Sequence, residues 1–196
     1  KYDKYFKYFN PDLFDAREWA RQAKAAGMKY AVLTTKHHEG FCMWDTQYTD
    51  YKCTNTPAGR DLVREYVDAF RAEGLHVGFY YSLIDWHHPE FPIDRLHPRR
   101  DDPDAEEQSR GRDVHKYAEY MRNQVTELLT NYGKIDVLWF DFSYSAPDPQ
   151  DKPWMKGKGK EDWEAEKLLA LARRLQPGII IDNRTEIEQD IWTPEQ

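Results

Sequence analysis

Four times along these 196 residues, a stretch with helical apolar spacing runs into a glycine and then into a short, nearly continuous apolar run. Leu13, Phe14, Trp19, Ala20, Ala23 and Ala26, with Asp15 placed as N-cap and Gly27 as stop, predict a helix followed by a strand over 29–35. The pattern repeats as helix 60–73, Gly74 and strand 75–82. A longer helix over 111–132 carries Val114, Tyr117, Tyr120, Met121, Val125, Leu128 and Leu129 on one face and leads through Gly133 into strand 135–142. A fourth round takes helix 162–175 through Pro177 and Gly178 into strand 179–182. Strands apolar on both faces must be covered on both faces, so this alternation specifies an α/β fold with a parallel sheet. An open doubly wound sheet that binds a dinucleotide would place a glycine-rich turn after an early strand, and none is present. Chemically loaded residues instead follow the strands: Lys36-His37-His38-Glu39, the segment 82–88, Asp141, and Asn183-Arg184. That placement predicts a (β/α)8 TIM-like barrel, whose site is assembled at the C-terminal strand ends, and four strands make it incomplete in this chain.

Composition narrows the partners. Hydrophobic residues at 40% and aromatics at 15% support a packed core, which excludes a disordered chain. A net charge of −7 without a clustered basic stripe predicts no nucleic-acid partner. Runs such as Val137 to Phe140 are far shorter than the roughly 20 apolar residues that cross a bilayer, so no membrane span is expected. The lysine- and glycine-containing stretch 152–160 follows no strand and has no phosphate-cradle pattern, and is expected to be a solvated loop. Cys42 and Cys53 are expected to be free thiols. The chain begins at Lys1 with no charged-then-apolar leader, the form expected of a mature or excised product, and localisation and oligomeric state are not legible.

Among candidate reactive groups, Asp141 lies in Val-Leu-Trp-Phe-Asp-Phe. Strand alternation puts Val137, Trp139 and Asp141 on one side, and Leu138 and Phe140 on the other. A carboxylate at a strand exit beside an aromatic wall suits a nucleophile or a stabiliser of a developing cation, and equally a helix cap or a salt bridge. His37 and His38 are adjacent, so their rings are expected to point different ways, a poor arrangement for one metal but a usable one for hydrogen bonds to a polyhydroxylated ligand. His87, His88 and His97 are expected to be structural, and neither a metal nor a cofactor is expected. Seven Trp and thirteen Tyr are a heavy aromatic load, with Trp44, Tyr80, Tyr81, Trp86 and Trp139 in or beside strand-end segments, where rings can pack on sugar C–H faces. Arg184 can clamp a carboxylate, and Glu195 can supply a second one, in competition with Glu186 and Glu188.

Several segments in order resemble the α-L-fucosidases of glycoside hydrolase family 29. They are Thr34-Thr35-Lys36-His37-His38-Glu39-Gly40-Phe41, Gly59-Arg60-Asp61-Leu62, Gly78-Phe79-Tyr80-Tyr81-Ser82, Leu138-Trp139-Phe140-Asp141 and Thr193-Pro194-Glu195. The resemblance spans nearly the whole chain. It implies that residues 1–196 are part of a catalytic barrel whose N-terminal strand and C-terminal remainder lie outside them. It further implies retaining, double-displacement hydrolysis of terminal α-L-fucose from fucosylated oligosaccharides or glycoconjugates. Under it Asp141 is the nucleophile and Glu195 the acid/base, the latter a residue that shifts between branches of the family. His37, His38 and Tyr80 would hold sugar hydroxyls, Trp139 would line the pocket, and Arg184 would shape the site near the nucleophile. Phe142 departs from the pattern, standing where glycine is common. The competing classes are a non-catalytic carbohydrate-binding barrel and a metal-dependent hydrolase built on His37, His38 and a carboxylate.

Overall fold

The computed structural model describes residues 3–149 and 151–194. Its elements follow the sequence rhythm closely: α1 (Asp3–Phe6), α2 (Ala16–Ala25), β1 (Tyr30–Lys36), α3 (Leu62–Ala72), β2 (His76–Ser82), α4 (Ala105–Arg110), α5 (Val114–Asn131), β3 (Val137–Asp141), α6 (Ala165–Leu175) and β4 (Ile180–Ile181). The boundary chemistry is the expected one. Asp15 Oδ1 accepts from the backbone N–H groups of Arg17 and Glu18 at 2.9 and 3.0 Å, and Asp61 and Asp113 cap α3 and α5 in the same way. Gly27, Gly74 and Gly133 each turn the chain from helix to strand at positive φ, where a Cβ would be strained.

The four strands form one parallel sheet in the order β1-β2-β3-β4. Chain order and spatial order coincide, with no reversal of the kind that creates the crevice of a doubly wound sheet. The sheet is therefore an arc of a TIM-like barrel, four strands of the eight that close one. On its outer face Phe79, Tyr81, Leu138, Phe140 and Ile181 are buried against Val63, Tyr66, Val67, Met121, Val125, Leu128 and Leu168 of the helices. Each such fully buried side chain contributes about 1.5–3 kcal/mol. The inner face is more open: Tyr30 and Ile180 are 57% and 41% exposed, and a cavity of about 330 Å³ is lined by Tyr30, His76, Val137, Trp139 and Ile180. Among the described residues no helix is long and apolar enough to cross a membrane.

Three expectations are corrected. Trp44 and Tyr81 belong to the core and not to an aromatic rim: both are fully buried, Trp44 Nε1 donating to Glu127 Oε2 (3.1 Å) and Tyr81 OH to Gln124 Oε1 (2.7 Å). The stretch 152–160 is solvated only in part, because Lys158 is buried with its ammonium on Asp94 and its carbonyl accepts from Tyr144 N–H (2.7 Å). Helix α6 starts at Ala165, with Asp162 accepting from Gly159 N–H (2.9 Å) just ahead of it. Cys42 and Cys53 are free thiols, as expected, and both are buried.

Candidate active site

The site grows from an irregularity in β1. Val32, Leu33 and Thr34 pair with Gly78, Phe79 and Tyr80, but the next partner of Tyr81 is Lys36, so Thr35 is an extra residue. Such a bulge flips the alternation of everything after it. Lys36 consequently turns outward into the layer beneath the helices, fully buried. There its Nζ meets Asp85 Oδ2 and Tyr117 OH at 3.1 Å each and lies 4.4 Å from the centroid of the Tyr81 ring. Asp85 also accepts from the N–H groups of His87 and His88, 3.0 Å each, and Trp86 N–H donates to His38 O (2.8 Å). The ion pair thus ties the β2 exit loop to the β1 exit. Gly40, at φ +83°, fits against it because a Cβ there would lie 2.2 Å from Asp85 Oδ1.

With Lys36 turned out, the two histidines face the strand ends together. Their rings stack at 4.0 Å and 28°, which corrects the expectation of divergent rings: regular alternation stops at the bulge. His37 in turn stacks on Tyr80 at 5.7 Å, and Tyr80 OH donates to Asp141 Oδ2 at 2.7 Å. Tyr80 is registered opposite Trp139, and Ser82 opposite Asp141, so the inner face of β2 and β3 presents both pairs at one end. Leu83 N–H donates to Asp141 O (2.9 Å) and closes that end.

His38 is held on every side. Ser82 Oγ donates to Ile84 O (2.9 Å) and accepts from Ile84 N–H (3.0 Å), so its 2.6 Å contact with His38 Nδ1 uses the imidazole N–H as donor. This leaves Nε2 as the acceptor of the neutral ring. Burial, helped by the neighbouring His37 and Lys36 and opposed by Asp141 and Glu39, lowers the His38 pKa to about 4, so the ring is neutral at ordinary pH. Burial would raise the Glu39 carboxyl, but His37, with Nδ1 3.4 Å from Oε2, brings it below the usual carboxylate range. Burial and the bond to Asp141 hold the Tyr80 phenol far above its ordinary value, so it remains a donor.

Arg184 follows β4 and turns toward the chain end: Nε donates to Thr193 Oγ1 (2.7 Å) and Nη2 to Pro194 O (3.3 Å). Asn183 Oδ1 accepts from Thr193 N–H at 2.9 Å, so two neighbouring side chains fix the segment that leads to Glu195. Glu195 itself lies outside the described residues. Of the competing carboxylates, Glu186 is occupied as a loop anchor, accepting from Ser145 and Lys160 N–H at 3.2 Å each. His97 is buried, and His87 stacks on Tyr51 at 4.1 Å. Among the described residues no three His, Cys, Asp or Glu side chains form a group that could hold a metal ion.

Two residues at the site are given no role by the sequence. Ser82 is marked only by its register opposite Asp141. Asp182 is fully buried behind β3, its Oδ1 accepting from Phe140 N–H (3.1 Å), and burial, reinforced by Asp141 and opposed by the backbone N–H groups of Phe140 and Arg184 and the Arg184 charge, raises its pKa to about 7. Its signal in the sequence is an acid closing an otherwise apolar strand run.

Two histidines, a phenol and a carboxylate thus meet at the strand ends of a barrel arc, with Trp139 on the same face of β3 as the carboxylate. The chain belongs to the alpha-L-fucosidase family, whose model matches residues 1–195. It is 34% identical over 177 residues to putative alpha-L-fucosidase 1 of Oryza sativa subsp. japonica, covering 88% of this chain and 28% of that protein. Among solved structures it is similar to alpha-L-fucosidase isoenzyme 1 from Paenibacillus thiaminolyticus, with 58% identity, TM-score 0.84, and coverage of 94% of this chain and 41% of that one. A GH29 alpha-L-fucosidase from Bacteroides thetaiotaomicron, solved as a trapped covalent intermediate in complex with 2-fluoro-fucosyl fluoride, matches at 35% identity and TM-score 0.73 over 95% of this chain and 38% of that one. The chain thus spans under a third of that rice protein and about two fifths of those structures.

Proposed function

We propose that these residues are part of the catalytic barrel of a longer protein that hydrolyses terminal α-L-fucose from fucosylated oligosaccharides or glycoconjugates, with retention of configuration. The observation that carries this reading is the Tyr80 to Asp141 hydrogen bond of 2.7 Å at the barrel's C-terminal rim, with the stacked histidines beside it. The phenol commits one carboxylate oxygen and fixes the rotation of the group. The other oxygen can then attack the anomeric carbon.

In the first step an Asp141 oxygen bonds to that carbon while the glycosidic C–O bond breaks and Glu195 gives its proton to the leaving oxygen. In the second, water attacks the same carbon, its proton passes to Glu195, and the ester bond to Asp141 breaks. The step needs the two carboxyls about 5–5.5 Å apart. His38 Nε2 and the Tyr80 oxygen, whose proton is committed to Asp141, supply acceptors for sugar hydroxyls, His37 lies between them, and Trp139 offers an apolar face for the sugar's C–H groups and methyl. Arg184 fixes the segment that carries the acid. The covalent intermediate described for the Bacteroides thetaiotaomicron relative supports a two-step route.

The test is release of 4-nitrophenol from its α-L-fucoside by the full-length protein and by Asp141→Ala, with and without a chelator and with azide. Chelator-insensitive turnover, lost in the variant and partly restored by azide, is expected. Loss on chelation would favour a metal-dependent hydrolase, and no turnover on this or other aryl glycosides would favour a binding protein.

A further inference from the structure

Phe142, the residue immediately after Asp141, has φ +82°. For a bulky L-residue this is a true outlier, and such strain persists only where the surroundings over-determine it. They do so here. Asp141 O is taken by Leu83 N–H (2.9 Å), Ser143 Oγ donates to Arg184 O (2.5 Å) and accepts from Trp163 Nε1 (3.0 Å), and Tyr144 N–H donates to Lys158 O (2.7 Å). The chain is pinned on both sides of one residue, and that residue alone takes the left-handed turn. What the turn accomplishes is a reach across the sheet. The Phe142 ring meets the His38 ring edge to face at 5.0 Å and 75°, although His38 follows β1 and Phe142 follows β3, with β2 between them. Trp86 closes another edge of the same imidazole at 5.4 Å, and His37 covers its face.

We propose that Phe142 is a positioning residue for sugar binding: its left-handed backbone carries an aromatic edge onto His38, which fixes the plane of the imidazole and excludes water from it, so that Nε2 is presented as a hydrogen-bond acceptor. This rests on the fucoside reading of the site. The charged and titratable groups around the ring are Lys36, His37 and Glu39 from its own segment and Asp141 from β3. A Phe142 ring wedged between water and the imidazole adds to the burial that keeps it neutral, and a glycine at this position would relax the backbone while opening that side.

The experiment compares Phe142→Gly, Phe142→Leu and Phe142→Tyr in the full-length protein. The His38 titration midpoint is followed by NMR with ring-labelled histidine, and kcat and KM are measured with 4-nitrophenyl α-L-fucoside. For Phe142→Gly the midpoint should rise by about one pH unit toward the unperturbed histidine value. KM should rise about tenfold with kcat changed much less, the size expected for one lost aromatic contact in ground-state binding. Phe142→Tyr should behave as the wild type. If Phe142→Gly fails to fold by circular dichroism, Phe142→Leu is read in its place with the same directions. A folded Gly or Leu variant whose His38 midpoint or KM matches the wild type overturns the proposal. If the wild type has no fucosidase turnover the substrate reading fails, whereas an unmoved His38 midpoint refutes the role of Phe142 whatever the substrate.

Discussion

Replacing Asp182 by Asn should stabilise the protein, and by an amount that grows with pH. Asp182 is fully buried behind β3, with a pKa of about 7 in the fold against an ordinary 3.8. Below 3.8 the folded and unfolded chains both hold the proton. Between 3.8 and about 7 the unfolded chain releases it and the folded chain does not, so stability falls as pH rises, and the loss levels off once the folded group also ionises. At 1.36 kcal/mol for each pH unit separating the two values, the full cost is roughly 4 kcal/mol. That is a large part of a domain's usual 5–15 kcal/mol. Asparagine keeps an Oδ1 to accept from Phe140 N–H and cannot ionise. Urea unfolding of wild type and Asp182→Asn, followed by tryptophan fluorescence at pH 4, 6 and 8, should give a stability difference that moves in favour of the variant by about 3–4 kcal/mol from the lowest pH to the highest. Any fixed packing cost of the amide cancels in that change, as do the other titrating groups. A difference that stays flat with pH, or favours the variant most at pH 4, would contradict a buried Asp182 held protonated in the fold.

Removing the phenol with Tyr80→Phe deletes a hydrogen bond to a charged group, of about 1.5–3 kcal/mol, so kcat/KM should fall roughly 10- to 100-fold with unchanged circular dichroism; unchanged kinetics would detach Tyr80 from the role proposed for Asp141. Lys36→Met leaves Asp85 as a buried, unpaired charge and should cost about 3–5 kcal/mol in chemical denaturation, whereas Lys36→Met with Asp85→Asn should recover part of the loss. His38, His88 and His97 are each lowered by burial from 6.5 to about 4, so the unfolded chain takes up protons first as pH falls. The stability they confer should therefore be lost between pH 6.5 and 4, as proton uptake on unfolding measured by titration calorimetry, and no uptake in that window would contradict their burial as neutral rings.

The helix-to-strand rhythm was legible because caps, glycine stops and apolar runs are local signals: Asp15 and Gly27 act where the sequence places them. The inner face of β3 was legible from alternation alone, with Trp139 and Asp141 on one side and Leu138 and Phe140 on the other. What escaped depends on partners distant in the chain. Nothing local marks the extra residue at Thr35, which turns Lys36 toward Asp85 and lets His37 and His38 stack. Trp44 and Tyr81 looked like rim aromatics because burial is set by α5, through Glu127 and Gln124. Lys158 looked like a solvated charge because its partner, Asp94, lies in a long connection with no periodicity of its own. The resemblance to a known family supplied roles for residues whose proximity the chemistry alone did not decide, such as Arg184.

Trapping the intermediate tests the role of Asp141 most directly. Full-length protein is incubated with 2-deoxy-2-fluoro-L-fucosyl fluoride, and its proteolytic peptides are mapped by tandem mass spectrometry. One fluorofucosyl group per active site is expected, attached through an ester to Asp141 and absent from Asp141→Ala. A label on another carboxylate, or inactivation without any covalent adduct, would contradict Asp141 as the nucleophile.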